Sequence, residues 1–415
     1  MADRIVSHDS AAPDQEFWPA LFRQKIAVNA RFWLGQISEQ QITAPSVITE
    51  RENVVKALTR ALQLQTAWEP ALDLLLAFHP HMARRGTVSD WQRFVEIGLE
   101  ISRQQDNLMA EAALLDRLGE IKCSQGDWTG AAVCHDKAQQ LSAVAGDEVA
   151  RARSLTNLGY VYRLQRKYTE AEEVLQQALE CCQSAQDLDG QAFAHTNLGL
   201  SQYEQNLWDQ ALHHHQMAYQ LWSETENLQG MAQALHNLGI AHIALNDWPQ
   251  AESCLQSAIE RYKHTHARLL LAVASMDLGE AYRRQERPAQ AERLFHEAIE
   301  VMEESRHIRG LALAYNNIGL ACTQQQKWGL AEDYFQRSIA LWQELGEPVW
   351  QANAEDNLVD AYLQQHRWQE ALHLLDSALE HLSGLEATAQ VEDLLADINE
   401  HRQVARSGLG NKPAA

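Results

Sequence analysis

Glycine recurs every 40 residues through most of this chain, and that period constrains the fold more than any other feature. The series is Gly119, Gly159, Gly199, Gly239, Gly279 and Gly319, with Val359 at the place where a seventh glycine is due. Leucine or isoleucine precedes each member of the series, and alanine follows twelve positions later, from Ala131 to Ala371. A fixed period of this length predicts a stack of similar structural units.

Each 40-residue period contains two stretches with helical periodicity. Apolar residues recur at spacings of three and four, as in Leu155, Leu158 and Val161 and then in Val174 and Ala178. Short polar segments separate the stretches, and such segments mark turns. We therefore predict that each period forms a hairpin of two amphipathic helices.

Small and aromatic residues mark the geometry of this hairpin. We expect Gly159 and Ala171 to be small because the two helices cross closely, and a larger side chain would cost about 1–3 kcal/mol of overpacking. An aromatic residue, replaced once by proline, stands nine positions after each glycine, where the second helix should begin. These residues are Trp128, Tyr168, Trp208, Trp248, Pro288, Trp328 and Trp368.

The pattern resembles that of the tetratricopeptide-repeat family. In the second period the family's positions are held by Leu158, Gly159, Tyr162, Ala171, Leu175 and Ala178. The resemblance implies an all-α fold, a right-handed α-solenoid of stacked antiparallel helix hairpins. The period is longer than the usual 34 residues, and we place the extra residues in the second helix and the following loop, as at 183–190. This long form, with its Asn-Leu-Gly signature, is similar to cell-polarity adaptors that bind Gα-regulatory proteins and to repeats of bacterial signalling ATPases.

The repeats divide the chain into consecutive segments. We predict a disordered N-terminus at 1–14, a helical segment at 15–70, a degenerate repeat at 71–111 and seven regular repeats over 112–393. A C-terminal capping helix is expected at 387–406 and a disordered tail at 407–415. Two interpretations of 15–70 stay open, because these helices could cap the apolar end of the stack or serve as a docking segment.

Composition narrows the range of partners and compartments. The formal net charge is −22, from 34 Lys and Arg against 56 Asp and Glu, so direct binding of nucleic acid is not expected. Neither a membrane-spanning apolar run nor a signal peptide is visible, and the six cysteines have no framework spacing. These features favour a cytoplasmic protein without membrane association.

The sequence provides no convincing catalytic or metal-binding constellation. His213, His214 and His215 are consecutive, and consecutive residues point in different directions on a helix, so they cannot converge on one metal. His296 and Glu297 begin like a zinc-protease motif, but Glu300 stands where the second histidine is required. We predict no catalytic residues, no metal site, no cofactor and no enzymatic activity.

The family resemblance implies a binding surface on the concave face, which the first helix of each hairpin lines. The residue two positions before each glycine should face this groove, and these residues form what we call the Asn ladder. Its members are Asn157, Asn197, Asn237, Asp277, Asn317 and Asn357. An amide both donates and accepts hydrogen bonds, so such a row can hold a peptide backbone, or it can satisfy the backbones of neighbouring helices.

By the same resemblance, residues beside the Asn ladder should determine specificity. The apolar set is Phe193, Leu200, Tyr203, Ile240, Ile243, Met276 and Leu320. The flanking residues are Arg153, Tyr160 and Arg163 on one side and Glu280, Arg283 and Arg284 on the other. An apolar strip flanked by charges is typical of a groove that binds a peptide or a helix.

These features predict a non-enzymatic scaffold or adaptor that binds a peptide or helix of a partner protein. The alternative is a regulatory or sensory subunit that controls an effector in trans, such as a protease, a signalling ATPase or a transcription regulator. The oligomeric state is left open by the sequence.

Overall fold

The computed structural model describes the backbone of residues 17–38, 44–64, 67–82, 88–385 and 388–410. Over these ranges the structure is helical and contains no β-strand. The chain divides into two compact units, residues 1–201 and 202–415, and the boundary falls inside one helix. The predicted all-α class and the antiparallel helix hairpins are confirmed within each unit.

The helices follow one another with short connections. Those that begin in the first unit are α1 Phe17–Ser38, α2 Ala44–Ala61, α3 Trp68–Met82, α4 Val88–Gln104, α5 Leu108–Ser124, α6 Trp128–Ala145, α7 Glu148–Leu164, α8 Tyr168–Ser184 and α9 Leu188–Glu204. The second unit continues with α10 Trp208–Glu224, α11 Leu228–Ala244, α12 Trp248–His264, α13 Arg268–Arg284, α14 Pro288–Glu304, α15 Ile308–Gln324, α16 Trp328–Leu345, α17 Pro348–Gln364, α18 Trp368–Leu382 and α19 Ala389–Gly410.

The second helix of every regular hairpin begins at the residue predicted from the aromatic series, from Trp128 to Trp368. The location predicted for the extra residues of the long repeat is correct for the second helix but wrong for the following loop. Residues 183 and 184 complete α8, only 185–187 form a turn, and α9 has already begun at Leu188. Both helices of most hairpins contain 17 residues, so the extra length is shared between them.

Short turns join the helices and carry one residue with left-handed backbone. Arg166, Asn206 and Asn246 are examples, with φ between 55° and 61°, and the same position recurs at intervals of twenty residues. Side chains cap several of the following helices, as where the Asp147 carboxylate accepts the Ala150 N–H at 2.9 Å. Such a cap pairs a backbone donor that has no partner within the helix.

The repeated glycine lies where the two helices of a hairpin are closest. A Cβ placed on Gly159 would lie 2.5 Å from Cγ of Leu175, a fully buried side chain of α8. Gly239 meets Leu255 in the same way, and Gly319 meets Phe335. The close approach predicted for the hairpin is therefore present, but each glycine faces the residue sixteen positions later rather than the alanine at twelve.

Neighbouring hairpins pack through both of their helices. In the second unit α11, α13, α15 and α17 contact one another in sequence, and each second helix contacts the next first helix. In the first unit α5 contacts α7 in the same manner. We call the surface formed by these first helices the first-helix face.

The helices outside the regular repeats also pack on their neighbours. In the first unit α1 contacts α2 and α3, and Ile26, Ala30 and Leu58 share one buried cluster. In the second unit α19 packs on α17 and α18 and extends to Gly410, beyond the boundary at 406 predicted for a capping helix. The predicted disordered N-terminus at 1–14 and the last five residues of the predicted tail lie outside the described residues.

In the second unit, groups of a carboxylate, a tyrosine and an arginine, which we call clasps, link successive hairpins. Glu332 of α16 accepts a hydrogen bond from the Tyr362 hydroxyl at 2.7 Å and one from Arg367 at 2.8 Å. The Arg367 guanidinium also lies over the Tyr362 ring, 4.0 Å from its centre. The hydrogen bond from Arg367 lowers the pKa of Glu332, so the carboxylate is ionised and the clasp is complete at neutral pH.

One histidine of the second unit lies at the buried position that faces the repeated glycine in other hairpins. His215 is buried at the position that Leu175 and Leu255 hold in other hairpins, and its Nδ1 has no hydrogen-bond partner among the described residues. Burial lowers the pKa of His215 to about 3, with smaller contributions from the charges of His214 and His236. The ring is therefore neutral in the folded chain.

We expect Gly319→Ala to lower the denaturation midpoint of the chain. The added Cβ would lie 2.7 Å from Cε1 of the buried Phe335 ring. An overpacking cost of about 1–3 kcal/mol exceeds the gain in helix propensity of at most about 1 kcal/mol. The matched control is Gly329→Ala in α16, where nothing lies within 4 Å of the new atom. Equal midpoints for the two variants in urea denaturation would contradict the close approach.

We expect His215→Leu to stabilise the chain most at mildly acidic pH. The folded pKa lies below the ordinary value of 6.5, so the unfolded chain takes up the proton first as the pH falls below that value. The stability contributed by neutral His215 is complete above pH 6.5 and decreases below it. Thermal denaturation between neutral pH and pH 5 should therefore show a flatter pH dependence for His215→Leu, whereas His213→Leu at an exposed position should not change it. A wild-type slope in His215→Leu would contradict the buried neutral ring.

Candidate functional site

The members of the Asn ladder lie on the first helices, but they differ in exposure. Asn157, Asn197, Asp277, Asn317 and Asn357 are half-buried. Asn237 is only 8% exposed, and its Nδ2 has no hydrogen-bond partner in the described chain. Burial of this amide removes it from the surface that a partner could reach.

Several ladder residues bond within the chain itself. The Asp277 Oδ2 lies 2.6 Å from Nε2 of His236 on the preceding first helix, and Asn357 donates to Oδ1 of Asn316 at 3.0 Å. Asn197 donates to the carbonyl of Phe193 in its own helix at 3.0 Å. These members of the ladder therefore contribute to packing, as the second interpretation of the sequence allowed.

A cavity of about 430 Å³ lies between α7 and α9 in the first unit. It brings together five of the predicted site residues: Arg153, Asn157, Tyr160, Phe193 and Asn197. The remaining lining residues are Val149, Ala152, Thr156, Cys182, Asp187, Asp189 and Gly190, which the sequence did not single out. We call this space the anchor cavity.

The walls of the anchor cavity are largely apolar although solvent reaches them. Val149, Tyr160 and Phe193 are 42%, 40% and 48% exposed, which is unusual for three large apolar side chains around one cavity. Val149 is an exposed apolar side chain in the first turn of α7, and that is the sequence signal that could have identified it. Cys182 is buried, and burial raises the pKa of its thiol to about 12, so it is an unreactive part of the wall.

The charged groups of the anchor cavity are not equally available. Asp187 uses Oδ1 to accept the Gly190 N–H at 2.9 Å, which caps α9, and Asp189 is engaged in an interaction within the chain. Arg153 is exposed and has no ion pair or hydrogen bond with any other described residue. The guanidinium of Arg153 is therefore the charge that the cavity can offer to another molecule.

A smaller cavity of about 330 Å³ adjoins the anchor cavity and shares Asn157 and Tyr160 with it. Its other lining residues are Glu120, Cys123, Ser124, Trp128 and His135. Burial alone would raise the pKa of Glu120, but the hydrogen bond from His79 and the charge of Arg117 lower it. Trp128 and Tyr160 give this smaller cavity aromatic walls.

A buried polar group supports the smaller cavity. His135 Nδ1 lies 2.8 Å from Oδ1 of Asp116, and the Ser154 hydroxyl donates to Oδ2 of the same carboxylate at 2.9 Å. All three side chains are less than 5% exposed. The serine bonds to the aspartate rather than to the histidine, so this is not the arrangement of a nucleophile beside its base.

In the second unit the predicted apolar groove is partly core. Ile243 and Met276 are 8% and 7% exposed and belong to the hydrophobic cluster between the hairpins, so the expectation that they face a groove is not met. Ile240 and Leu320 are half-buried on the first-helix face, and Leu200 is half-buried in the first unit. The physical reason is that Ile243 and Met276 lie on the side of their helices that faces a neighbouring hairpin, and that hairpin covers them.

The predicted charges of the second unit are paired with one another. Both Nε and an Nη of Arg283 donate to Glu280 at 2.7 Å, and Arg284 donates to the same carboxylate at 2.7 Å. Burial would raise the pKa of Glu280, but these bonds and charges lower it. Burial, with the nearby Asp277, raises the pKa of Tyr203.

In the first unit Arg163 is buried, and its guanidinium lies 5.2 Å from the centre of the Tyr160 ring.

The described ranges contain neither a metal-ligand cluster nor a membrane-spanning helix. No group of three or more potential metal ligands occurs there. His213 is exposed and His215 is buried, so the consecutive histidines point in different directions as expected. No described helix combines the length and the apolar character needed to cross a bilayer.

Two members of the Asn ladder should respond differently to the same substitution. Asn357→Ala removes the bond to Asn316 and should lower stability by about 0.5–1.5 kcal/mol. Asn157→Ala removes no side-chain hydrogen bond found in the described structure and should leave the denaturation midpoint unchanged. Urea denaturation of the two variants checks this, and equal losses would show that Asn157 also contributes to packing.

Comparison with known proteins gave a family and a fold. The sequence model of the tetratricopeptide repeat matches residues 109–184, 190–264, 231–304 and 310–383, together well over half of the chain. No curated protein sequence matches the chain.

Solved structures with similar folds cover most of the chain at low identity. A Rap protein complexed with competence and sporulation factor is 14% identical, and the match covers 92% of this chain and 100% of the Rap chain with a TM-score of 0.58. The apo quorum sensor NprR from B. thuringiensis is 14% identical, with coverages of 87% and 100% and a TM-score of 0.58. A signal transduction ATPase with a tetratricopeptide-repeat sensor, from Pyrococcus horikoshii, is 16% identical, with coverages of 86% and 55% and a TM-score of 0.58.

At such identities the similar structures show the fold alone, whereas the family follows from the repeated sequence match. The hairpins of both units and the matched ranges agree on the same repeat. The chain belongs to the tetratricopeptide-repeat family.

Proposed function

We propose that the chain is a non-catalytic scaffold or adaptor that binds a peptide or helix of a partner protein on its first-helix face. The observation that carries this proposal is the anchor cavity, where five residues predicted from the repeat meet around about 430 Å³. Ligand sites are typically concave and mostly apolar, with a few polar groups that fix orientation. The anchor cavity has that composition.

The polar groups of the anchor cavity suit a polypeptide backbone. The side-chain amide of Asn157 makes no hydrogen bond to other described residues and lines both cavities of the first unit. An amide can donate to a carbonyl and accept from an N–H, whatever the side chains of the peptide. Tyr160 and Phe193 would then contact the side chains of the bound segment.

The chemistry of the whole chain supports a protein partner. A net charge of −22 disfavours a phosphate polymer. The exposed apolar groups of the anchor cavity are separated by polar ones, and protein interfaces commonly combine apolar and polar groups.

The regulatory alternative is supported by fold. The similar structures include a quorum sensor, a Rap protein with a bound factor and a sensor of a signalling ATPase. In this alternative the same surface would bind an effector or its peptide and change the effector's activity in trans. The long repeat with its Asn-Leu-Gly signature is compatible with both functions.

We also propose that the helices before the regular repeats act as a cap. In the first unit α1 and α2 pack with each other and with α3, and their buried residues continue the apolar cluster to Leu114 of α5. Covering the apolar end of a repeat stack is the usual role of terminal elements. Packed in this way, the described residues of α1 and α2 do not line the anchor cavity.

Site-specific photocrosslinking tests the proposed surface. A photoreactive phenylalanine derivative at Val149, on the rim of the anchor cavity, should crosslink a partner in cells that naturally produce the chain. Val133 of α6 provides the matched control, because it is an exposed valine of the same unit outside either cavity.

The expected result is a crosslinked product at Val149 that disappears when Phe193→Ala is added and is absent at Val133. Circular dichroism should show that the helical content of the variants is unchanged. Equal crosslinking from both positions, or a product at Val149 that survives Phe193→Ala and Tyr160→Ala, would contradict the proposed surface. Mass spectrometry of the product and an activity assay of the partner distinguish a scaffold from a regulator.

A further inference from the structure

The inference concerns what the anchor cavity selects, and it rests on the proposed function. Three charged side chains line this cavity, and two of them, Asp187 and Asp189, are already engaged within the chain. The charge of Arg153 has no partner among the residues that the structure describes. A guanidinium offers paired N–H donors that match the two oxygens of a carboxylate.

The position of Arg153 places this charge beside apolar surface. Arg153 of α7 and Phe193 of α9 hold equivalent positions 40 residues apart, on first helices that run in the same direction. Val149 lies one turn earlier on α7 than Arg153. A carboxylate on Arg153 would therefore lie next to a large apolar group packed between Val149 and Phe193.

The two cavities indicate that the bound segment continues past this point. Tyr160 and Asn157 line both cavities, so the two cavities are neighbours that share the same two side chains. A chain terminus needs only one cavity, whereas a segment within a longer chain has to leave it. The second cavity, with Trp128 on its wall, provides the continuation.

The spacing of the helices sets the spacing of the contacts. Packed helices lie about 8–10 Å apart, and a polyproline II segment advances about 3.1 Å per residue with three residues per turn. Side chains three positions apart on such a segment point the same way and are about 9 Å apart. This spacing is similar to the general separation of packed helices.

We infer that the first unit binds an extended internal segment of a partner protein in which an acidic residue adjoins a large apolar residue, with a second apolar residue three positions away. The acidic side chain pairs with Arg153, and the first apolar side chain fills the anchor cavity. The second apolar side chain lies against Trp128 and Tyr160, and Asn157 bonds to the backbone between them.

The strongly negative chain gives this pairing selectivity. With a net charge of −22, the protein repels a run of acidic residues over most of its surface. One carboxylate opposite one unpaired guanidinium gains the local attraction and adds little repulsion elsewhere. We therefore expect a single acidic residue to improve binding and further acidic residues to weaken it.

Fluorescence polarisation with synthetic peptides tests the inference on the full chain. The probes are labelled peptides of glycine and serine, blocked at both ends, with two leucines three positions apart. The residue that precedes the first leucine is aspartate, asparagine or lysine in three otherwise identical peptides, and a fourth peptide carries a run of aspartates. Blocked ends restrict any carboxylate effect to the side chains.

We expect the aspartate peptide to bind with a dissociation constant about tenfold lower than the asparagine peptide, the gain typical of a charge-assisted hydrogen bond. The lysine peptide should bind more weakly still. Arg153→Gln should remove the preference for aspartate and leave the asparagine peptide unchanged, whereas Arg293→Gln at an exposed position of α14 should leave all affinities unchanged. Circular dichroism confirms that both variants fold.

The outcomes separate the inference from the proposed function. Equal binding of the three peptides that is lost in Phe193→Ala would overturn carboxylate selection but retain the groove. A preference for aspartate that persists in Arg153→Gln would also overturn the assignment of Arg153. Failure of all the peptides to bind would overturn the inferred segment, while the crosslinking experiment would still decide the proposed function. Tighter binding by a peptide with a free C-terminal carboxylate than by its blocked form would assign the cavity to a chain terminus and contradict an internal segment.

Discussion

The close approach of two helices within each hairpin is the contact on which the rest of the structure depends. Glycine on the first helix leaves room for a buried side chain sixteen positions later, as for Gly159 with Leu175 and Gly319 with Phe335. Because that side chain fills the space above the glycine, it fixes how far each helix slides along the other. Each hairpin then presents the same edges to its neighbours, so a stack can propagate.

Polar contacts between hairpins are of two kinds. The clasps combine a carboxylate, a tyrosine hydroxyl and a guanidinium, as in Glu332, Tyr362 and Arg367. On the first-helix face the contacts are hydrogen bonds between polar side chains, such as Asp277 with His236. The same residue type therefore serves packing in one hairpin and is available to a partner in another. Which of the two applies depends on what the preceding hairpin offers at the facing position.

That dependence explains why the candidate site lies in the first unit. Around α7 and α9 the first-helix face keeps large apolar groups partly exposed, and Arg153 has no described partner. In the second unit the corresponding charges are satisfied locally, because Arg283 and Arg284 share Glu280. A surface whose charges are already paired has less to gain from a partner. Unlike the paired charges of the second unit, the anchor cavity offers an amide, a cation and apolar walls, and a polypeptide could use all of these groups.

The amino-acid sequence by itself determined the class of fold, the hairpins and the starting residue of each second helix. It could do so because the 40-residue period, the small residues and the aromatic residues report local packing that repeats in every unit. Only the tertiary structure decided that Gly159 faces Leu175, that Ile243 and Met276 are core, and that Arg153 has no partner among the described residues. These outcomes depend on which side chains of different hairpins meet, and a sequence pattern shows the residues on a helix face but not what covers that face.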